Sequence, residues 1–178
     1  RMERKVFTEL GGPDADGLHH LLANNGFRRS QNIAYRPFCE DCSACLAVRV
    51  VLDDFRPKRW MRRVLNRNAD LNMTRCRPRA SQEQFELFNR SLTSRHAQGG
   101  MADMNFDEYQ AMVEDTAVTT EVIEFRNADD ELAAACLVDV MEDGLSLIYS
   151  FFAPERASLS TGRAIILMLI EESRELAS

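Results

Sequence analysis

No stretch of this 178-residue chain stays apolar for long. The run Ala164 to Ile170, as long as any in the chain, falls far short of the roughly 20 residues a bilayer-crossing helix needs, so no helical span and no membrane partner are expected. A basic-then-apolar leader is lacking too, which leaves secretion without support. The chain opens on Arg1 rather than a methionine and ends as abruptly, and further residues are expected beyond both ends. Internal repeats and low-complexity tracts are absent. The five cysteines do not form the even, widely spaced set that a disulfide framework uses, so a reducing, cytoplasmic setting is expected. Positive net charge is also lacking: the balance is −6, which taken alone counts against a nucleic-acid binder. What remains, 45% hydrophobic and 28% charged, is the composition of a soluble globular chain, long enough for one large domain or two small ones sharing a core.

The charge that is present is unevenly spread. Between Phe55 and Ala80 stand nine basic residues (Arg56, Lys58, Arg59, Arg62, Arg63, Arg67, Arg75, Arg77, Arg79) and one acid, Asp70. That segment is +8, so the rest of the chain carries −14. A basic patch on an acidic body favours one local anionic site over general adhesion to polyanions. The spacing predicts a helix over Pro57 to Arg67, with proline in its permitted first turn. At 100° per residue Arg59, Arg62, Arg63 and Arg67 share one arc, while Trp60, Met61, Val64 and Leu65 fill the opposite one. Read without further context, such a row is either a solvated helix face or a phosphate-binding one. Trp60, on the apolar arc, is expected in the core rather than as a base-stacking platform.

Elsewhere the pattern predicts a strand over Arg4 to Leu10, stopped by Gly11-Gly12-Pro13, and a helix carrying Leu18, Leu21 and Leu22 that ends at Asn25-Gly26. His19 and His20 on that helix are expected to be surface or boundary residues. Asn32 to Arg36 and Leu46 to Leu52 read as extended, and Met73 to Arg77 as a strand. Ser81, with Gln84 completing a capping box, opens a helix to Arg95; Asn105 opens another to Asp115. Three strands follow, Thr119–Arg126, Leu132–Met141 and Leu145–Phe152, separated by the turn signals at Asn127–Asp130 and Glu142–Gly144. A long apolar helix from Gly162 to Leu176 closes the pattern. The order is that of an α+β fold with a largely antiparallel sheet, matching a GNAT-like acyltransferase core. The expected division is a cysteine-containing and basic region over residues 1–80 and a GNAT-like transferase region over 81–178, short of that fold's closing strand.

Three cysteines fall in Cys39-x2-Cys42-x2-Cys45. Two thiolates at this spacing can face one tetrahedral metal, which makes Cys39 and Cys42 candidate ligands for a structural zinc or an iron–sulfur cluster. A complete site needs four ligands, and no second pair follows; packed, reduced thiols are the competing reading. Cys76 and Cys136 lie in apolar strand-like runs and are expected to be inert.

Several ordered motifs carry a resemblance. They begin with Gly26-Phe27-Arg28-Arg29-Ser30, then Tyr35-Arg36-Pro37-Phe38-Cys39 through Cys45 to Arg49-Val50. Phe55, Arg62-Arg63-Val64-Leu65 and Asn66-Arg67-Asn68-Ala69-Asp70-Leu71 follow at the expected spacing. Arg95-His96, Gly99-Gly100-Met101-Ala102-Asp103-Met104 and Tyr149-Ser150-Phe151-Phe152 with Pro154 complete the set. Together they resemble the aminoacyl-tRNA–protein transferases, and among them the bacterial aspartate/glutamate leucyltransferases. Ala47 departs from a usual proline, and Ser158-Leu159-Ser160-Thr161-Gly162 replaces a Ser-Leu-Gly run.

The resemblance implies transfer of an amino acid, leucine in the bacterial branch, from aminoacyl-tRNA to proteins that begin with Asp or Glu, marking them for degradation by the N-degron pathway. The partners are then aminoacyl-tRNA and those proteins, and the chemistry, aminolysis of an already activated ester, requires no cofactor. An acidic acceptor side chain asks for a forked guanidinium, for which Arg28, Arg29, Arg49 and Arg95 are candidates. Arg28 and Arg29 are equally able to pair with carboxylates elsewhere in the chain. Tyr35 and Tyr149 are candidates for handling a proton or aligning the donor, and Arg59, Arg62, Arg63 and Arg67 for contacting tRNA. The alternatives are a CoA-dependent N-acetyltransferase, with Gly162-Arg163 opening a phosphate-receiving helix, or a noncatalytic RNA-binding module.

Overall fold

A computed structural model describes residues 4–95 and 103–176 of the chain. Two antiparallel sheets organise it. The smaller has three strands, β1 (Lys5–Glu9), β2 (Arg28–Ser30) and β3 (Ile33–Pro37), in the order β1-β3-β2, with α1 (Ala15–Asn24) packed on it. The larger has four, β4 (Asn72–Cys76), β5 (Thr120–Arg126), β6 (Leu132–Met141) and β7 (Gly144–Phe152), in sequence order. The helices are α2 (Arg59–Arg67), α3 (Gln82–Arg95), α4 (Phe106–Glu114) and α5 (Thr161–Leu176), the last preceded by a 3-10 turn over Pro154–Leu159. The mixed α+β class and the antiparallel sheets agree with the sequence pattern. So do the helix starts: Ser81 and Gln84 cap α3 reciprocally, and Asn105 and Glu108 do the same for α4.

Strand alternation builds the core of the larger sheet. Val122, Ala135, Leu137 and Phe151 face α3 and α4, where they meet Leu87, Phe88, Tyr109 and Val113. Ile123, Phe125, Ala134, Cys136, Val138 and Phe152 face the other way, onto Ile165 and Leu169 of α5. With both faces covered, β6 is buried along eight successive residues, and its first seven, Leu132 to Val138, read as a continuous apolar run instead of an alternating one. Each large side chain so buried contributes about 1.5–3 kcal/mol relative to exposure. Val64 of α2 packs against Ala164 and Leu167, fixing α2 to the outer side of α5.

Three expectations are corrected. Leu46 to Leu52 forms no strand because none pairs with it among the described residues, and Val48 is 92% exposed. His19 is buried rather than at the surface, because it points into the seam between the two sheets. Trp60 is 45% exposed instead of lying in the core: Val64 takes the buried position of α2, and the indole falls at the edge of the packed arc.

Candidate functional site

The register of β6 and β7 is interrupted once. Leu137 pairs with Tyr149 and Val138 with Leu147, leaving Ile148 as an extra residue in β7. A bulge of this kind breaks the in–out alternation and re-aims side chains. Here Ile148 and Tyr149, though adjacent, both pack toward the α3–α4 side. Beside the bulge opens a cavity of about 340 Å3, lined by Leu147, Ile148, Tyr149 and Ser150 of β7, Ser91 and Leu92 of α3, and Arg28 of β2. The Tyr149 ring is half-buried and held 5.7 Å from that of Phe88, so its position is set by the core. Arg28 is exposed and makes no ion pair among the described residues. The cavity thus combines an apolar wall, two hydroxyl-bearing serines, a phenol and one guanidinium, a set able to hold an acyl group and a carboxylate together.

Arg28 owes its place to its neighbour. In β2 the side chains alternate, so Arg28 faces out and Arg29 faces in. The buried Arg29 grips Asp139 of β6 with two donors, Nε to Oδ2 at 2.7 Å and Nη2 to Oδ1 at 2.6 Å. Thr120 donates to the same Oδ1 at 2.9 Å, and His19 Nε2 lies 2.9 Å from Oδ2. The other terminal nitrogen of Arg29 donates to the Gln31 carbonyl. Burial would raise the Asp139 carboxyl, but the hydrogen bonds from His19, Arg29 and Thr120 and the Arg29 charge outweigh it, holding Asp139 below the ordinary carboxylate value. This cluster joins α1 and β2 of the small sheet to β5 and β6 of the large one. Of the two readings open for Arg29, pairing with a carboxylate elsewhere is the one realised. No sequence signal singles out His19 or Asp139, which lie 120 positions apart and come together only in the fold.

The other candidates are dispersed. Tyr35 is the register partner of Arg28 and shares its face of the small sheet, but it does not line the cavity and has the Lys5 ammonium 5.3 Å from its ring. Arg49 is exposed and pairs with Asp143 at 3.1 Å on the β6–β7 turn. The Arg95 side chain, with His96 and the glycine-rich run 98–102, lies outside the described residues.

On α2, Arg59, Arg62, Arg63 and Arg67 are all exposed, and none forms an ion pair among the described residues. Arg75, Arg126 and Arg156, by contrast, each hold a carboxylate. The C-terminal end of the helix is pinned. Buried Asn68 donates to the Val64 and Leu159 carbonyls at 2.9 Å each and accepts from Thr161 at 2.8 Å. Arg156 clasps Asp70 with both terminal nitrogens, and that hydrogen bonding holds Asp70 below its ordinary value despite some burial. The sequence run Asn66 to Leu71 is therefore a splice fixing the arginine-bearing helix to the start of α5.

Cys39 and Cys42 face each other across an isolated bridge, with Asp41 between them at φ 57°. Both are half-buried and Cys45 is exposed. Among the described residues no three His, Cys, Asp or Glu side chains converge as a metal would require. Cys136 is the inert packing residue expected of it: burial pushes its thiol up to about 12.

The fold and site define an α+β protein with an arginine-lipped cavity at a bulged strand and, on one helix, an exposed arginine row that forms no ion pair among the described residues. Residues 1–63 match the family described as arginine-tRNA-protein transferase, N terminus, and residues 83–178 match its C terminus. The chain belongs to the arginine-tRNA-protein transferase family, enzymes of aminoacyl-tRNA–protein transfer. It is 52% identical to an aspartate/glutamate leucyltransferase from Paramagnetospirillum magneticum, over 99% of this chain and 72% of that protein. A second relative of that name, from Parvibaculum lavamentivorans, is 51% identical over 99% of this chain and 73% of its own length. Among solved structures, that of L-PGS from Bacillus licheniformis shares the fold over 70% of this chain and 41% of its own, with a TM-score of 0.52 at 16% identity.

Proposed function

We propose that this chain moves leucine from aminoacyl-tRNA to the N-terminal Asp or Glu of protein substrates, at the cavity beside the β7 bulge. The single observation carrying the placement is the exposed Arg28 guanidinium, without an ion pair among the described residues, at the lip of a cavity whose wall holds Tyr149. The name shared by the relatives, aspartate/glutamate leucyltransferase, supplies the amino acids. The order β4-α3-α4-β5-β6-β7-α5 supports a GNAT-like arrangement of the larger sheet. A cytoplasmic location and a role in N-degron marking accompany this reading.

In the reaction the acceptor's α-amine attacks the ester carbonyl carbon. A C–N bond forms, the C–O bond to the ribose breaks, the amine loses a proton and the departing oxygen gains one. The amine's reference pKa near 8 leaves a useful unprotonated fraction at neutral pH, and positioning supplies most of the acceleration. Arg28 holds the acceptor carboxylate, Tyr149 aligns the ester or relays the proton, and Arg29 with Asp139 keeps β2 in place. Arg59, Arg62, Arg63 and Arg67 carry tRNA phosphates. No cofactor enters the balance. The test compares peptides beginning with Asp and Asn in the parent and in Arg28→Ala. Loss of the preference for Asp in the variant is expected; an unchanged preference removes Arg28 from acceptor binding.

A further inference from the structure

The exposure of Trp60 has a specific setting. Its indole, 45% exposed, is approached by the guanidinium of Arg163, 5.9 Å from the ring centroid and contributed by a different helix, α5. Arg163 is itself exposed and forms no ion pair among the described residues. A cation over an indole face orients the ring and leaves the rest of the ring surface available. On α2, Trp60 is offset by about 60° from Arg63 and by about 20° from Arg67, so it stands at the margin of the arginine arc. The hydrogen bonds of Asn68 and the clasp of Asp70 by Arg156 lock α2 to the segment leading into α5, so the two halves of the pair are held in register before any ligand arrives.

We propose that Trp60 and Arg163 form a platform on which one unpaired nucleobase of the tRNA stacks, while the arginine arc of α2 takes the adjoining phosphates. The proposal rests on the tRNA reading given above and adds to it a residue that touches a base. The chemistry selects single-stranded nucleic acid. A base inside a duplex is already stacked on both faces, whereas an unpaired one gains an aromatic partner, and every base has a π-face to offer. The arginines of α2 form no ion pair among the described residues and lie in a segment, Phe55 to Ala80, that is +8 against −14 for the rest of the chain, a local excess that favours a polyanion over an acidic or apolar peptide. Stacking is sequence-tolerant, so this site contributes affinity and orientation rather than choice of tRNA.

Trp60 is the chain's one tryptophan, so its fluorescence reports the platform without substitution and without activity. The protein is titrated with uncharged tRNA, with a short single-stranded RNA, with the same RNA as a blunt duplex, and with inorganic polyphosphate. Quenching by tRNA and the single strand, and little by duplex or polyphosphate at equal occupancy, is the expected result. Trp60→Leu should weaken tRNA binding about 5- to 150-fold, whereas Trp60→Phe should stay within about fivefold of the parent. Binding of tRNA that depends on the α2 arginines yet leaves Trp60 emission and Trp60→Leu affinity unchanged overturns the platform and spares the tRNA reading. Failure of tRNA to bind at all overturns both. Quenching by an Asp-initiated peptide with none by RNA replaces the nucleobase with a protein ligand and also ends the proposal.

Discussion

Asp139→Asn tests the link that ties the small sheet to the large one. The substitution keeps the shape of the side chain but removes its charge and one of its acceptors, leaving the Arg29 guanidinium buried at 1% side-chain exposure without a counter-ion. Breaking a buried pair by removing one partner costs about 3–5 kcal/mol. For a chain of this length each kcal/mol lowers Tm by about 2–4 °C, so the expected loss is roughly 6–20 °C. The pair itself is a different matter: replacing both members, as in Arg29→Met with Asp139→Leu, removes two desolvation costs and should recover most of that loss. Because Asp139 is held below its ordinary value, the stability it contributes is fully present above the unfolded-state pKa of about 4, and it is lost as pH falls through the lower folded value. The parent should therefore show an acid limb in Tm below about pH 4 that Asp139→Asn lacks in part. Thermal melts followed by circular dichroism across pH 3 to 7 read all three. A loss under about 1 kcal/mol in the single variant, or a double variant no better than the single, refutes the clamp.

The other predictions are more local. Reversing the charge of Arg59, Arg62 and Arg63 should weaken tRNA binding and flatten the dependence of log K on log salt by about 2–3 units, as three lost phosphate contacts require; an unchanged slope removes this face from the interface. Asn68→Ala deletes bonds to Val64, Leu159 and Thr161 and should destabilise by about 1–3 kcal/mol in urea denaturation, through the buried groups it leaves unpaired. Tyr149→Phe should lower kcat by about a hundredfold or more with KM little changed if the phenol relays the proton; a change under twofold leaves Tyr149 as a wall of the cavity.

Most of the fold was legible because its signals are local. Reciprocal capping at Ser81–Gln84 and Asn105–Glu108 marks two helix starts, and the turns at Asn127–Asp130 and Gly144 space three strands. The arginine arc of α2 follows from helical periodicity alone, and its exposure agrees. What escaped depends on contacts distant in sequence. Arg28 and Arg29 look interchangeable in the chain; only the pairing of β2 with β3 sends one outward and the other to Asp139. His19 reads as a surface residue because its partner lies 120 positions away. Leu46 to Leu52 has the pattern of a strand, but a strand needs a neighbour, and none pairs with it among the described residues. The helical arc places Trp60 in the core, yet α5 is contacted through Val64, one turn further along, leaving the indole at the margin. The bulge at Ile148, which shapes the cavity, has no signature in β7 itself and emerges only from its register with β6.

Leucyl transfer is tested by offering the protein leucyl-tRNA, arginyl-tRNA and acetyl-CoA in turn, each with peptides that begin with Asp, Glu or Asn, and weighing the products by mass spectrometry. Leucyl transfer requires that peptides beginning with Asp or Glu gain the mass of one leucine residue at the α-amine, from leucyl-tRNA alone, while those beginning with Asn do not. Acetylation of the same amine from acetyl-CoA, or binding of tRNA with no transfer to any peptide, would contradict it.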